Sequence, residues 1–446
     1  MRKKLTYLFV IISIVVITLY LFRYKSALTI ENKIPSTATE IVQINLRQIE
    51  HHLLVDGIKN PFKYISLKSK KKDTTASFIE TIVIPKNLLF FTNNDNFKGG
   101  WFSTIIKLKD SVELRNCLLQ EGFNDFTDEK ITFFSKGKVV IAIAGKKGII
   151  AYKKQQSLSV NAAIQTVFNE TSFYKKETDI LKSIKNSKSD ITYVNAKSDF
   201  LEADFKKGLF EIKGKVQSEL FVADAYNADS KNLIGFIATK VNTNHHIFRS
   251  LISDKNKTKF KDFTKLSIDS IVNNWNGSVV FNLKNIDTKT DTIITYEYDD
   301  DFNKIEKKSV QKTNIPNVTI TLGNDANLYG YFYTHKIIQI KEGDTLFAGI
   351  PVYKMYARRQ ENYLHISSQR QLETRLLKEK QYKFNAHINI HSYLENPLEF
   401  SLLPIKNDYL QLVESVSAQL TINDELLIQL RLRNNGRNFL GQFIKP

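Results

Sequence analysis

The sequence has a single cysteine, Cys117, in 446 residues, and this excludes an internal disulfide framework. For the same reason, no C-x-x-C metal or redox motif can form. The eight histidines include no H-E-x-x-H pattern, and the sequence has no Walker loop, no nucleophile elbow and no G-x-G-x-x-G fingerprint. We therefore predict no catalytic residues, no metal ligands and no cofactor. The fold must be stabilised by packing.

Long apolar runs are also scarce, because only the run from Leu5 to Phe22 is long enough to cross a bilayer. The cations Arg2 to Lys4 precede this run and favour a cytoplasmic N-terminus. Arg23 and Lys25 follow it, where a cleavable signal peptide would carry small residues. We predict an uncleaved transmembrane signal-anchor over residues 1–22, with a cleaved signal peptide as the alternative. The predicted location is the bacterial inner membrane, as a single-pass protein with a periplasmic body.

The remainder of the chain has the composition of a folded protein, with 42% hydrophobic and 11% aromatic residues. After a linker over residues 23–35, we predict two lobes, 36–175 and the β-rich 176–446. Strand-like segments alternate irregularly with single helices, which differs from the regular succession of a parallel βαβ sheet. The predicted fold class is α+β: an N-terminal transmembrane helix, then antiparallel, meander-rich sheets with a few amphipathic helices.

Local patterns place several elements. The stretch "ITFFSKGKVVIAIAGKKGIIAYKK" predicts three short strands that turn at Lys136-Gly137 and between Gly145 and Gly148. Asp110 followed by Glu113 predicts a helix start. The helix that runs to about Trp275 is predicted from its apolar spacing.

An asparagine recurs at the end of strand-like segments. The four positions are Asn45, Asn195, Asn282 and Asn389. Asparagine side chains bond to backbone groups two residues on, so structural punctuation is the favoured interpretation. A divergent duplication that makes two similar lobes is the alternative.

The net charge is +18, but the basic residues are scattered, and the one genuine cluster is "KSKKKD" at residues 68–73. This cluster favours a solvated loop, and the alternative is a polyanion or lipid contact at Lys68, Lys70, Lys71 and Lys72. The predicted partners are the membrane, through the N-terminal helix, and an envelope protein, a lipid or a polysaccharide. Nucleic acid is not expected in the predicted compartment.

The stretch "NKIPSTATEIVQINLRQIEHHLL" resembles a class of uncharacterised bacterial envelope proteins of unknown function. The positions that carry the resemblance are Pro35, Ser36, Thr37, Ala38, Asn45 and Leu46. The resemblance covers about 25 residues and implies an envelope location and an α+β body. It supplies no activity and no site residues.

Three functions are compatible with these patterns. The first is a binding or scaffolding module of the bacterial envelope. The second is a hydrolase of envelope polymers whose acidic site assembles from distant residues, with two carboxylates about 5 to 9.5 Å apart. The third is a lipid-binding or polyanion-binding protein. A polar cavity, an apolar groove or an exposed apolar surface would discriminate among them.

Overall fold

A computed structural model gives the fold, and it divides the chain into two compact units. Unit 1 comprises Met1–Lys215 with Gly436–Pro446, and unit 2 comprises Val216–Asn435. The predicted boundary near residue 175 lies inside unit 1. The structure describes residues 34–64, 74–93, 100–169, 172–174, 178–223, 227–228, 233–264, 266–298, 302, 304–324, 327–350, 353–360, 362–371, 376–377, 382–395 and 408–443.

The predicted transmembrane signal-anchor, residues 1–22, lies outside the described residues. Among the residues that the structure does describe, no helix has the length and apolar character needed to cross a membrane. The predictions of a transmembrane helix and of a single-pass inner-membrane location are corrected on this finding. They enter none of the proposals below.

The predicted fold class is also wrong, because strands dominate. Strand residues make up 47% of the structure and helical residues 26%, and the ladders between the described strands are antiparallel. The prediction gave the helices too large a share and began the fold with a membrane helix.

Unit 1 is built on an antiparallel sheet. Its described strands are β1 (Glu40–Asn45), β2 (Ile82–Val83), β3 (Asn87–Thr92), β4 (Trp101–Leu108), β5 (Asn124–Asp128), β6 (Ile131–Lys136), β7 (Val139–Ala144), β8 (Lys147–Lys153), β9 (Ile191–Asn195), β10 (Phe200–Lys206) and β11 (Leu209–Lys215). Its described helices are α1 (Leu46–Lys59), α2 (Pro61–Tyr64), α3 (Thr74–Thr81), α4 (Ser111–Gln120), α5 (Asn161–Asn169) and α6 (Asp179–Asn186). The strands pair in the order β5-β6-β7-β8-β4-β3-β1-β9-β10-β11, and β2 pairs with the end of β4.

Unit 2 is also built on an antiparallel sheet. Its described strands are β12 (Asn227–Ala228), β13 (Gly235–Lys240), β14 (Ser278–Tyr298), β15 (Lys304–Gly323), β16 (Ile338–Lys341), β17 (Asp344–Phe347), β18 (Tyr356–Gln360), β19 (Tyr363–Ser367), β20 (Leu376–Leu377), β21 (Tyr382–Asn389), β22 (Val413–Thr421) and β23 (Glu425–Leu432). Its described helices are α7 (His246–Leu251), α8 (Asp254–Thr264), α9 (Ile268–Asn273), α10 (Leu328–Thr334) and α11 (Ile390–Glu395). The strands pair in the order β16-β17-β18-β19-β15-β14-β13-β21-β22-β23, and β12 pairs with β20 alone.

The two units share one topology. In each, the first strand of the main sheet pairs with two later strands: β1 with β3 and β9, and β13 with β14 and β21. In each, the last strand of a four-strand meander returns to an earlier strand: β8 pairs with β4, and β19 with β15. One helix precedes each meander, and it buries leucine or phenylalanine four residues apart, Leu114 and Leu118 in α4 and Leu328 and Phe332 in α10. The predicted duplication into lobes 36–175 and 176–446 has other bounds than these two units and stays a prediction.

Several local predictions are confirmed. The three predicted strands are β6, β7 and β8, with turns at Gly137 and Gly145, both at a φ of +58°. Asp110 caps α4 by accepting hydrogen bonds from the backbone N–H groups of Val112 and Glu113.

Three of the four recurrent asparagines cap a helix or stabilise a turn at the end of a strand. Asn45 accepts from the backbone N–H of Gln48 at the start of α1, and Asn389 accepts from Ser392 at the start of α11. Asn195 accepts from two backbone N–H groups in the turn after β9. Asn282 differs, because it lies inside β14 and is buried.

Candidate functional site

The shared topology allows the two sheets to be compared position by position. The hairpins β7–β8 and β18–β19 each turn through two residues, between Ala144 and Lys147 and between Gln360 and Tyr363. Residues at the same distance from the two turns are taken as equivalent. The ladders then extend this alignment into the neighbouring strands of both sheets. Because directly paired residues share a face, the alignment also matches the faces.

At six matching positions, one face of the sheet is apolar in unit 1 and polar in unit 2, although the same face of unit 2 also carries the buried apolar residues Phe236, Ala238 and Val280. In unit 1, this face carries Phe91, Val140, Ala142, Ile149, Ala151 and Val194, all of which belong to the main hydrophobic core. At the matching positions, unit 2 carries Asn282, Tyr356, Arg358, His365, Ser367 and His387. Since burying polar groups is costly unless they are satisfied, this exchange requires a different environment over the face in unit 2.

In unit 1, helices α5 and α6 supply the covering layer. Ile164 and Val167 of α5, and Leu181 and Ile184 of α6, are almost completely buried in the core on this face. Both helices lie between β8 and β9. The matching segment of unit 2, residues 368–381, is shorter, and its described part contains only strand β20. The polar face of unit 2 therefore has no counterpart of these helices in the described chain.

A cavity of about 470 Å³ opens on this part of unit 2. The cavity lies between β17 and β18. These strands separate there, since the described ladder between them has one paired position, Leu346–Tyr356. The equivalent strands β6 and β7 of unit 1 pair at five positions. The cavity is lined by Tyr329, Gly343, Asp344, Thr345, Tyr356, Ala357, Arg358, Arg359, His365, Ser367, Gln369 and Arg370. Its volume is in the range of small-molecule sites.

The lining is strongly basic. The lining contains three arginines, Arg358, Arg359 and Arg370, and one carboxylate, that of Asp344. The Asp344 carboxylate lies 2.9 Å from Nε of Arg370 and 3.4 Å from Nζ of Lys354. Arg358 and Arg359 are exposed strand residues. The positive charge exceeds the negative charge here, and guanidinium groups suit bidentate binding of phosphate or carboxylate.

Neutral donors complete the lining. Burial and the nearby charge of Arg358 lower the pKa of His365, so the imidazole is neutral at pH 7. Its Nδ1 lies 2.9 Å from Oγ1 of Thr321, and Oγ of Ser367 lies 3.3 Å from Oγ1 of Thr319. With Thr321 as the donor, Nδ1 accepts and Nε2 carries the ring proton. The face thus combines one hydroxyl pair and one pair of a hydroxyl with a neutral histidine, beside Arg358.

An unsatisfied group lies on the same polar face. Asn282 is 7% exposed, and its Oδ1 has no hydrogen-bond partner among the described residues. The ladders place it in one row with Thr319, Ser367 and Tyr356 across four strands. Since such an atom costs about 1 to 3 kcal/mol when it lacks a partner, its retention indicates a polar environment over the row.

The sequence analysis predicted a different site. Lys68, Lys70, Lys71 and Lys72 lie outside the described residues, so their role as polyanion or lipid contacts stays a prediction. Arg358, His365 and Ser367 do not stand out in the sequence, because they are alternating residues of ordinary strands. These residues are identified when the sheet of unit 2 is compared with the sheet of unit 1, position by position. The hydrolase alternative requires two carboxylates, and the described lining provides one.

Unit 1 contains a separate ionisable cluster. Nδ1 of His52 on α1 lies 3.4 Å from Oδ1 of Asp190, whose side chain is fully buried before β9. Asp190 also accepts a hydrogen bond from the backbone N–H of Phe205, and its own N–H donates to Asp204. The contact with Asp190 and the charges of Asp190 and Asp204 raise the pKa of His52, although burial opposes this, while burial and His52 lower the pKa of the neighbouring His51. These contacts tie α1 to the β9–β10 hairpin.

A pH dependence of stability follows from the raised pKa of His52. The stabilising contact is complete below the unfolded-state pKa of about 6.5, and it is lost as the pH rises through the higher folded-state pKa. We expect the free energy of unfolding of the wild type to fall as the pH rises above about 6.5, and His52→Gln to reduce this fall. Urea unfolding at several pH values measures it. An unchanged slope in the variant would contradict the assignment.

Comparisons with known proteins assign no function. No protein-family model matches the chain, and no curated protein matches it. The solved structures similar to it include two crystal forms of TP0453. Form I is 8% identical over 78% of this chain and 96% of that chain, and form IV is 9% identical over 77% and 93%, each with a TM-score of 0.24. A likeness at this TM-score carries no argument, and the resemblance to uncharacterised bacterial envelope proteins stays a prediction.

Proposed function

We propose that the chain is a binding protein whose unit 2 takes up a small phosphorylated ligand in the cavity between β17 and β18. The carrying observation is that a face which forms a hydrophobic core in unit 1 carries arginine, histidine, serine and tyrosine in unit 2. If stability were the only requirement, apolar side chains would be favoured on this face of the sheet. A polar version that opens into a cavity is best explained by a polar ligand.

The chemistry of the lining favours a phosphate ester over a neutral molecule. Arg358 and Arg370 can supply paired N–H donors to phosphate oxygens, while Ser367 and neutral His365 supply further neutral hydrogen-bonding groups. Tyr329 and Tyr356 add aromatic surface, which suits a sugar ring attached to the phosphate. A phosphorylated sugar unit of an envelope polysaccharide would meet the partner expectation of the sequence analysis.

Calorimetric titration with matched probes tests the proposal. We expect saturable binding of glucose 6-phosphate, weaker binding of glycerol 3-phosphate and of inorganic phosphate, and no binding of glucose. The glycerol ester represents a lipid headgroup, so the order of the two esters distinguishes a sugar ligand from a lipid ligand. Titrations at low and at physiological salt separate site binding from attraction to the net positive charge. Absence of saturable binding for all three phosphates would overturn the proposal.

Arg358→Gln is the variant with the clearest expectation. Loss of a charged hydrogen bond to phosphate is worth about 1.5 to 3 kcal/mol, so we expect affinity for glucose 6-phosphate to fall by about 10-fold to 100-fold. Arg249→Gln is the matched control, because Arg249 is an exposed arginine of α7 that contacts Asn244 outside the cavity. Equal losses in both variants would indicate general electrostatic attraction and would contradict a specific site.

A further inference from the structure

Among the described residues, the lining of the cavity contains one carboxylate, that of Asp344 at the start of β17. Strands β16 and β17 turn through two residues, Glu342 and Gly343, whose φ angles are +53° and +80°. Positive φ at both central residues is typical of the tight turns that fix the register of a hairpin. The backbone of this hairpin therefore sets the face of the sheet on which Asp344 lies.

The equivalent position of unit 1 is a core residue. Strands β5 and β6 also turn through two residues, and the first residue after that turn is Ile131. Ile131 is 7% exposed and belongs to the main hydrophobic core. The side chain of Asp344 is itself only 15% exposed. Since a carboxylate with so little access to water is costly unless it has polar contacts, the exchange of isoleucine for aspartate requires favourable contacts for its oxygens.

The contacts that the protein gives this carboxylate are with two exposed cations. Oδ1 lies 2.9 Å from Nε of Arg370, and Oδ2 lies 3.4 Å from Nζ of Lys354. The side chains of Arg370 and Lys354 are 71% and 59% exposed, and ion pairs with such exposed partners contribute little to stability. A carboxylate has about four lone-pair sites, so Asp344 can accept further hydrogen bonds in the cavity.

A carboxylate in this place opposes the binding of a bare anion. Its charge repels a phosphate dianion, and it occupies Nε of Arg370, which phosphate oxygens would otherwise contact. The repulsion is offset when the ligand brings a hydrogen-bond donor, because a hydroxyl group that donates to a carboxylate forms a charge-assisted bond. A sulfate ion or a simple alkyl phosphate dianion has no such donor, whereas a sugar phosphate has several.

We infer that Asp344 is a specificity-determining residue, which accepts a hydrogen bond from a hydroxyl group of the ligand. The inference rests on the proposed function and narrows the ligand class to phosphate esters that carry hydroxyl groups. The arginines recognise the phosphate group, which all phosphate esters share, and Asp344 recognises the polyol part of the molecule. A site that is built to bond a ligand hydroxyl strongly rejects an analogue that lacks it.

Calorimetric titration of the full-length wild type and of Asp344→Ala with glucose 6-phosphate and ethyl phosphate at pH 8 tests the inference. Both esters are dianions at this pH, so the electrostatic gain from removal of the carboxylate is common to them and cancels in the ratio of their affinities. We expect the wild type to prefer glucose 6-phosphate. In Asp344→Ala, the ratio should fall by about 10-fold to 100-fold, while the affinity for ethyl phosphate rises.

Two control variants separate the hydroxyl contact from indirect effects. Arg370→Gln should weaken both esters and leave the ratio unchanged, because the phosphate group is common to them. Asp254→Ala removes the same charge from an exposed position of α8 outside the lining, and it should also leave the ratio unchanged. Circular dichroism of every variant checks that the strand content is retained.

The outcomes distinguish this inference from the proposed function. Saturable binding of both esters with a ratio that Asp344→Ala does not change would overturn the inference and leave the proposed function in place. An equal fall of the ratio in Arg370→Gln would assign the effect to the ion pair and would also overturn the inference. Absence of saturable binding of either ester to the wild type would overturn both.

Discussion

Replacement of Phe133 by alanine is expected to lower the free energy of unfolding of unit 1 by about 3 to 5 kcal/mol. Phe133 is completely buried on β6, and its ring stacks on Phe126 with the ring centroids 4.9 Å apart. It belongs to the core that α5 and α6 cover. Loss of the ring removes apolar area from this core and leaves a cavity that the rigid strands cannot fill.

The two tryptophans of the chain provide a reporter for each unit. Trp101 is buried in the core of unit 1, while Trp275 packs against the core of unit 2. In a Trp275→Phe background, urea unfolding followed by Trp101 fluorescence measures the effect of Phe133→Ala on unit 1. Val112→Ala is the control, since Val112 is 67% exposed on α4 and should change the free energy by less than about 0.5 kcal/mol. A similar small change for Phe133→Ala would contradict the assigned core.

The sequence predicts the local elements of this fold much better than its architecture. Strands β6 to β8 are bounded by glycines that the turns require, and α4 begins at an aspartate that its first turn requires, so both can be found from local chemistry. The strand order depends on pairing between distant segments, such as β1 with β9 and β13 with β21. No local pattern specifies these partners, so the extent of the sheets cannot be predicted from the sequence.

The candidate site was missed for a related reason. Arg358 and His365 occur in strands whose alternation looks ordinary, and their importance appears only when the matching positions Ala142 and Ile149 are known to be core residues. The sequence analysis instead selected Lys68 to Lys72, because contiguous charge is the feature of a binding surface that a linear pattern reveals. The duplication hypothesis stays a prediction. Its supporting asparagines nevertheless do not occupy matching positions, since Asn282 aligns with Phe91.

The largest effect in unit 2 is expected from Gly277→Ala, at about 2 to 5 kcal/mol of lost stability. Gly277 adopts a φ of +88°, and a Cβ added there would lie 2.1 Å from the carbonyl oxygen of Val241. The backbone N–H of Val241 donates to the carbonyl of Gly277 at 2.9 Å, so the two chain segments cannot separate without breaking this bond. The sequence analysis placed the end of the preceding helix at about Trp275. The helix ends at Asn273, and Gly277 is required by the close approach of two backbones.

Gly343→Ala separates the two causes of this loss. Gly343 has a similar φ of +80°, but no atom lies within 4 Å of an added Cβ. We expect a loss of about 1 to 2 kcal/mol there, from the backbone conformation alone. Both variants are measured by urea unfolding followed by Trp275 fluorescence in a Trp101→Phe background. Equal losses at the two positions would mean that Val241 does not constrain Gly277, whereas a larger loss at Gly277 attributes the difference to the steric contact that holds the start of β14 against the end of β13.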